Sequence, residues 1–226
     1  RLVATCMVRD LQAARAALHD PPDGADFLEL RVDALERPTL DDVRALLDAP
    51  RTLPVLVTCR LASQGGLYPG EEADRLDLLV AAQELGADLI DVEDAAWESL
   101  AERVDPERCV VSAHLERFVP RLDALAGRLL RRGTRFAKLV VPAKNPKALA
   151  ARVTLAELDE RLAVVTTGRL AEAGRIMASA RGAPLTYAAL DASDPGHGDQ
   201  PDVARLHDVQ HVQTVGASTR FLAVAG

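Results

Sequence analysis

The stretch "RFAKLVVPAKNPKALAARVTLAELDERLAVVTT", residues 135–167, contains the repeating unit on which the prediction of the fold rests. It begins with an apolar run typical of a buried strand and ends with a second such run, "LAVVTT". Between them the pattern predicts a helix over 145–160, with Asn145 as its N-cap and Pro146 as its first residue. Two strands connected by a helix in this way lie parallel in one sheet.

The same order of short apolar run, loop and helical stretch recurs along the chain. Helices are predicted over residues 39–48, 71–85, 119–132, 145–160, 169–181 and 201–214. The eight strand candidates read "LVATCMV", "FLELRVD", "LPVLVTCR", "DLIDVE", "RCVVSAHL", "RFAKLVV", "LAVVTT" and "PLTYAAL". This alternation within 226 residues predicts a single α/β domain over 1–226, a (βα)8 barrel of the TIM type with eight parallel strands. No GxGxxG motif follows the first strand, which argues against an open dinucleotide-binding sheet.

Composition narrows the classes of function. A net charge of -7 and a pI of about 5.3 argue against a nucleic-acid or acidic-membrane binder, although a locally basic pocket can still bind a small anion. No apolar run reaches the ~18 residues that a membrane span needs. The cysteines Cys6, Cys59 and Cys109 form no CxxC pair. We therefore expect reduced, buried thiols in a cytoplasmic protein, with neither a disulfide framework nor a zinc site.

Ionisable side chains stand at the carboxyl ends of five consecutive predicted strands, the second to the sixth. Each of them alone has an ordinary interpretation as a solvated rim residue or a surface salt bridge. In (βα)8 barrels, however, the active site lies at this end of the strands, so the whole set predicts one shared site. Its members are Glu29, Arg31, Asp33, Arg60, Glu93, His114 and Lys138.

Lys138 is the most informative member of this set, because a cation inside an apolar strand is unfavourable. Burial disfavours the ammonium form, and the neutral amine that remains can attack a carbonyl group to form a Schiff base. His114 can move protons near neutral pH, and Glu93, one strand away, can hold its imidazole in one tautomer. The arginines can bind an anion. These residues predict Schiff-base chemistry on a small oxo-acid.

A second pattern, "HDVQH" over residues 207–211, places two histidines at the i, i+4 spacing of helical metal ligands. No third ligand is evident from the sequence, and a helix face of this kind is usually solvated. We therefore expect no metal site there.

Short motifs follow one another in a fixed order along nearly the whole chain. They are "ELRVD" at 29–33, "TCR" at 58–60 with "GGLYPG" after it, "DLIDVE" at 88–93, "VVSAH" at 110–114, "FAKLVV" at 136–141, "GR" at 174–175, and a "PG" loop after the eighth strand. In this order they closely resemble the type I 3-dehydroquinate dehydratase family. The resemblance implies a (βα)8 barrel, here without the N-terminal hairpin that often closes the barrel bottom, and a homodimer. It also implies dehydration of 3-dehydroquinate to 3-dehydroshikimate in the shikimate pathway, without metal or cofactor.

The resemblance implies a role for each matching residue. Lys138 is similar to the lysine that forms a Schiff base with the substrate ketone. His114 is similar to the general acid and base that removes the C2 proton and protonates the leaving C1 hydroxyl, and Glu93 to the carboxylate that orients this histidine. The implied substrate ligands are Glu29, Arg31 and Arg60 for the ring hydroxyls, Arg175 for the carboxylate, and Ser193 and His197 in the last loop. His197 stands where the family has glutamine, unless the loop is re-registered to Gln200.

Two other functions remain open from the sequence. Another Schiff-base lyase, such as a class I aldolase, shares the lysine but needs neither the arginine of "ELRVD" nor a pair formed by His114 and Glu93. A non-catalytic ligand sensor with the same barrel has no need of the amine, so Lys138 argues against it.

Overall fold

The computed structural model describes residues 1–117, 119–193 and 198–219 of the chain. Within these ranges eight parallel strands alternate with helices, which confirms the predicted (βα)8 barrel. The strands are β1 Leu2–Met7, β2 Phe27–Arg31, β3 Val55–Thr58, β4 Leu89–Glu93, β5 Cys109–His114, β6 Phe136–Pro142, β7 Leu162–Thr167 and β8 Thr186–Ala189. The helices are α1 Leu11–His19, α2 Leu40–Leu47, α3 Glu72–Glu84, α4 Trp97–Leu100, α5 Leu122–Leu130, α6 Pro146–Val153 and α7 Ala171–Ala180.

The sheet curves into a barrel that is nearly closed. Neighbouring strands pair in the order β7, β6, β5, β4, β3, β2, β1, β8, and no backbone ladder joins β7 to β8 within the described ranges. Arg175 on α7 spans this seam. Its Nε donates to the carbonyl oxygen of Tyr187 on β8 at 2.7 Å, and its Nη1 donates to that of Thr166 on β7 at 3.0 Å. A side chain therefore replaces part of the missing strand pairing.

The barrel interior changes character along the strands, because side chains of one parity all point inward. Near the amino ends the inward side chains form an apolar cluster that includes Leu56, Leu89, Val110 and Phe136. Two residues further along the same four strands the inward side chains are polar, namely Thr58, Asp91, Ser112 and Lys138. An apolar floor thus lies beneath a polar layer at the carboxyl end of the barrel.

Helix boundaries follow the predictions in part. At the start of α6, Asn145 Oδ1 accepts the N–H of Ala148 at 2.8 Å and Pro146 is the first residue, as predicted. The helix ends at Val153 and continues as a 3-10 turn, Thr154–Leu158, instead of reaching residue 160.

The helix predicted over 201–214 forms only in part. The segment forms a short helical stretch with a π-helical turn at Arg205–Val209, and His211, with a positive φ of 49°, does not continue it. Leu206 and Val212 are buried and produce the apolar spacing on which the prediction rested. None of the helices in the described ranges has the length and apolar character needed to cross a membrane.

Candidate active site

A cavity of about 390 Å³ opens at the carboxyl end of the barrel, where the sequence predicted the site. Six of the predicted site residues line it: Glu29, Arg31, Arg60, His114, Lys138 and Arg175. Other lining residues were not singled out from the sequence, among them Thr5, Gln64 and Tyr187. These side chains come from most of the strands and the loops that follow them. Closure of the barrel therefore brings together residues that are far apart in the chain.

Lys138 lies in the middle of β6, opposite Ser112 of β5, and is 4% exposed. Its Nζ donates a hydrogen bond to Oδ2 of Asp91 at 3.1 Å and lies 3.6 Å from Oε1 of Glu29. The ring of Tyr187 covers the amine, with 3.9 Å between Nζ and the ring centroid. Two carboxylates and an aromatic face therefore compensate the charge of a buried ammonium. The apolar run around Lys138 predicts its burial, whereas these partners lie on other strands.

Asp91 on β4 is the centre of this charge network, although it is not among the site residues predicted from the sequence. Its Oδ1 accepts a hydrogen bond from Ser112 Oγ at 2.6 Å, and its Oδ2 lies 2.8 Å from Nη2 of Arg60. Burial alone would raise the pKa of Asp91, but the charges of Arg60 and Lys138 hold that pKa well below its usual range. The signal was present in "DLIDVE", because Asp91 precedes Glu93 by two residues and so faces the same interior.

The structure does not bring Glu93 to His114, contrary to the prediction. Glu93 Oε1 accepts hydrogen bonds from Arg60 Nη1 and from the backbone N–H of Leu61, both at 3.2 Å, and its Oε2 accepts one from Arg75 Nη1 at 2.7 Å. Within the described ranges no hydrogen bond joins Glu93 to the imidazole of His114. The reason is electrostatic, because this buried carboxylate lies between two buried guanidinium groups and compensates their charge.

His114 ends β5 and lines the cavity with Lys138. Burial lowers the pKa of its imidazole well below the ordinary value, and the positive charges of Arg60 and Lys138 lower it further. The imidazole is therefore neutral at pH 7. Its Nε2 has no hydrogen-bond partner among the described residues, while the backbone N–H donates to Oε1 of Gln64 at 3.3 Å. A neutral imidazole at a cavity can accept a proton from a molecule bound there.

Two arginines of the cavity differ in how their charges are compensated. Arg31 is held by Asp33 through two hydrogen bonds of 2.9 and 2.8 Å. Arg175 is 2% exposed, and among the described residues its hydrogen bonds all go to backbone carbonyl oxygens. Burial lowers the pKa of Arg175 to about 10, so the guanidinium remains charged at pH 7. A buried cation that is bonded to carbonyl groups can still pair with the carboxylate of a ligand.

Of the residues predicted in the last loop, the structure describes Ser193 and Gln200, and only one of them reaches the cavity. Ser193 is exposed, and both its backbone N–H and its hydroxyl bond to Oδ1 of Asp191, so it does not line the cavity. His197 lies outside the described residues. Gln200 does line the cavity, and its Nε2 donates to Thr5 Oγ1 at 3.1 Å. The structure thus brings the glutamine at position 200 to the site.

The described ranges contain no group of three or more histidine, cysteine, aspartate or glutamate side chains that could hold a metal ion. In the "HDVQH" segment, Nδ1 of His207 lies 2.7 Å from Oδ1 of Asp208, the residue beside it. The left-handed backbone of His211 departs from the helical geometry that the i, i+4 spacing assumed.

The fold and the cavity together define the class of protein, a (βα)8 barrel enzyme with a site for a small anionic substrate. Residues 2–216 match the family model described as type I 3-dehydroquinase. The chain belongs to this family, and it is accordingly an enzyme of the 3-dehydroquinate dehydratase class in the shikimate pathway.

Relatives of known name agree with this family. The chain is 34% identical over 188 residues to the 3-dehydroquinate dehydratase of Methanothermobacter thermautotrophicus. This match covers 80% of this chain and 83% of that protein. It is 31% identical over 216 residues to the chloroplastic bifunctional 3-dehydroquinate dehydratase/shikimate dehydrogenase of Arabidopsis thaliana, covering 90% of this chain but only 35% of that longer protein.

Solved structures share the fold. The 3-dehydroquinate dehydratase from Geobacillus kaustophilus superposes with a TM-score of 0.74 at 25% identity, covering 93% of this chain and 88% of that one. The type I 3-dehydroquinate dehydratase from Clostridium difficile superposes with a TM-score of 0.80 at 19% identity, covering 94% and 92%.

Proposed function

We propose that this chain converts 3-dehydroquinate to 3-dehydroshikimate and water through a Schiff base on Lys138. The observation that carries the proposal is the position of Nζ, which is buried at the cavity between Asp91 and Glu29 in a chain of this family. An amine held at such a place can attack a ketone that enters the cavity. The same two carboxylates then stabilise the cationic imine that replaces the ammonium.

The reaction balances with the groups of the cavity. Nζ gives up two protons and bonds to the C3 carbonyl carbon, the ketone oxygen departs with those two protons as water, and the nitrogen keeps one proton in the resulting iminium. The neutral imidazole of His114 takes the C2 proton, and the electron pair of the broken C–H bond moves into the iminium to give an enamine. The imidazolium then protonates the C1 hydroxyl, the enamine electrons form the C1–C2 double bond as the C1–O bond breaks, and water leaves as the iminium is restored. Hydrolysis of the imine consumes one water and releases the product from Lys138. The net change is the loss of one water from the substrate.

Binding of the substrate uses the cations and carboxylates around this centre. Arg175, whose hydrogen bonds go to backbone carbonyls, binds the carboxylate of the substrate. Arg31, Glu29 and Arg60 bind the ring hydroxyls. Glu93 acts through Arg60. One of its carboxylate oxygens accepts a hydrogen bond from Arg60 and the other accepts one from Arg75, so Glu93 fixes the position of the Arg60 guanidinium.

Borohydride trapping tests the covalent step. The chain has three lysines, Lys138, Lys144 and Lys147, and the last two are exposed, so peptide mass mapping can assign an adduct without ambiguity. With 3-dehydroquinate and borohydride we expect one adduct, on Lys138, and loss of activity in proportion to it. Lys144→Arg is the matched control and should be trapped like the wild type. An active preparation that forms no adduct, or forms it on another lysine, contradicts the mechanism.

The two rival functions predict different results in the same assay. A class I aldolase would cleave or join carbon–carbon bonds and leave 3-dehydroquinate unchanged. A ligand sensor would bind 3-dehydroquinate without turnover. Rapid formation of 3-dehydroshikimate contradicts both.

We further infer a homodimer in the cytoplasm that works without metal or cofactor. All three cysteines, Cys6, Cys59 and Cys109, are buried and none takes part in a disulfide bond, which is compatible with a reducing compartment. The mass of the particle in solution by light scattering tests the dimer, and activity retained after dialysis against a chelator tests the absence of a metal requirement.

A further inference from the structure

Tyr187 on β8 is a buried tyrosine that the reaction proposed above does not use. It is 3% exposed and lines the cavity, and its hydroxyl has no hydrogen-bond partner among the described residues. Five buried side-chain polar atoms lack a partner in those ranges, and three of them belong to the cavity residues Arg60, His114 and Tyr187. A buried hydroxyl without a partner is destabilising, so a native site that retains one calls for an explanation.

Contacts on two sides hold Tyr187 in place. Its carbonyl oxygen accepts the Nε–H of Arg175 at 2.7 Å, and the face of its ring lies 3.9 Å from Nζ of Lys138. The hydroxyl is part of the same rigid ring. It therefore lies within a few ångströms of the amine, and a ketone that approaches the amine also approaches the hydroxyl.

The hydroxyl is available as a hydrogen-bond donor. Burial raises the pKa of Tyr187 well above its ordinary value, and the carboxylates of Glu29 and Asp91 raise it further. The phenol therefore keeps its proton throughout the neutral range. In the proposed substrate, the carbon that Nζ attacks carries the ketone oxygen, and the next carbon carries a hydroxyl group. Either oxygen can accept a hydrogen bond from the Tyr187 hydroxyl.

We propose that Tyr187 is a further substrate-contacting residue, whose hydroxyl donates a hydrogen bond to an oxygen on, or next to, the carbon that Lys138 attacks. This inference rests on the proposed function, because it takes Lys138 as the attacking group. The ring and the hydroxyl then have separate roles. The ring stabilises the positive charge on the nitrogen, and the hydroxyl favours substrates that carry the matching oxygen, since an analogue without it leaves the hydroxyl unpaired.

The variant Tyr187→Phe separates the two roles, because it removes the hydroxyl and keeps the ring over Lys138. We expect kcat/KM for 3-dehydroquinate to fall about 3- to 10-fold with a higher KM, which corresponds to one lost hydrogen bond. In the free protein the same variant should raise Tm by about 2–5 °C, because the unpaired hydroxyl is gone. A merely structural role predicts a lower Tm and an unchanged KM.

Tyr68→Phe is the matched control, since Tyr68 is the other tyrosine of the chain, is also buried and does not line the cavity. It should leave KM unchanged. If Tyr187→Phe has the KM of the wild type while borohydride still traps the wild type on Lys138, this inference fails and the proposed function stands. If the wild type is active but is not trapped on Lys138, both fail.

Discussion

Lys138 shows how a cation is accommodated within an apolar strand. Side chains alternate between the two faces of a strand, so Lys138 points the same way as Phe136 and Val140. Both of these belong to the cluster in the barrel interior, and Lys138 therefore points inward. Its hydrogen-bond partner Asp91 is 47 residues away in the chain and lies on β4, two strands from β6. The strand registers align Lys138 with Ser112 and Ser112 with Glu93, so Asp91 lies one inward position before the aligned residue. Local sequence thus predicts that the amine is buried, whereas its partners depend on how the strands align.

The role of His114 can be measured apart from that of Lys138. We expect His114→Ala to reduce turnover roughly 10²- to 10⁴-fold, the typical contribution of one general acid and base, while borohydride still traps an imine on Lys138. Steady-state kinetics and mass mapping of the trapped protein give the two readings. His19→Ala, an exposed position at the end of α1, is the control and should behave like the wild type. Turnover close to the wild-type rate would remove His114 from the mechanism.

The site residues differ in how well the sequence predicted them. Lys138, in the middle of β6, was predicted because it is a cation inside an apolar run. His114 was predicted from its position at a strand end, because parallel strands all end at the same face of the barrel. The same signal selected Glu93, but it could not show that Arg75 on α3 lies closer to this carboxylate than the imidazole does. Which group pairs with Glu93 depends on the charges that the fold brings close to its carboxylate. Tyr187 was missed because a tyrosine in the middle of a strand looks like an ordinary core residue.

At the scale of elements, the seam between β7 and β8 connects stability with the proposed binding of the substrate carboxylate. The guanidinium of Arg175 bonds to a carbonyl oxygen on each strand and also lines the cavity. The planar fork of an arginine can donate in two directions at once, whereas the ammonium of a lysine is a compact charge on a flexible stem. The seam and the proposed carboxylate site therefore depend on the same side chain.

Arg175→Lys tests this connection, because it keeps the positive charge but removes the planar guanidinium that donates to both strands. We expect the free energy of unfolding to fall by about 1–3 kcal/mol, since a buried carbonyl loses its donor, and KM for 3-dehydroquinate to rise. Urea unfolding and steady-state kinetics measure the two effects. Arg169→Lys, at an exposed position before α7, is the control. A variant with a raised KM and unchanged stability would show that the seam does not depend on Arg175.

At the scale of the whole molecule, the barrel was predictable because its unit repeats. Eight strand runs separated by helices leave few alternatives in 226 residues, and the sheet order agrees with this reading. The segment after β8 was predicted less well. There Leu206 and Val212 are buried without a continuous helix, because apolar spacing reports burial and does not by itself define the backbone.

The pH dependence of stability gives a final prediction, because His114 is neutral in the folded protein. Its folded pKa is well below 6.5, whereas in the unfolded chain it titrates near 6.5. Below about pH 6.5 the unfolded chain therefore binds a proton at this residue that the folded chain does not bind. The stability present above pH 6.5 is lost as the pH falls toward the folded pKa, with a slope of at most about 1.4 kcal/mol per pH unit.

His114→Gln isolates this contribution, because the other titrating groups remain in both proteins. We expect the wild type to lose about 1–2 kcal/mol more than the variant between pH 7 and pH 5. Urea unfolding at the two pH values measures the difference, and any constant effect of the substitution cancels. An equal loss in both proteins would mean that the folded state protonates His114 as readily as the unfolded state does. The neutral imidazole that the proposed proton transfer requires would then be absent at low pH.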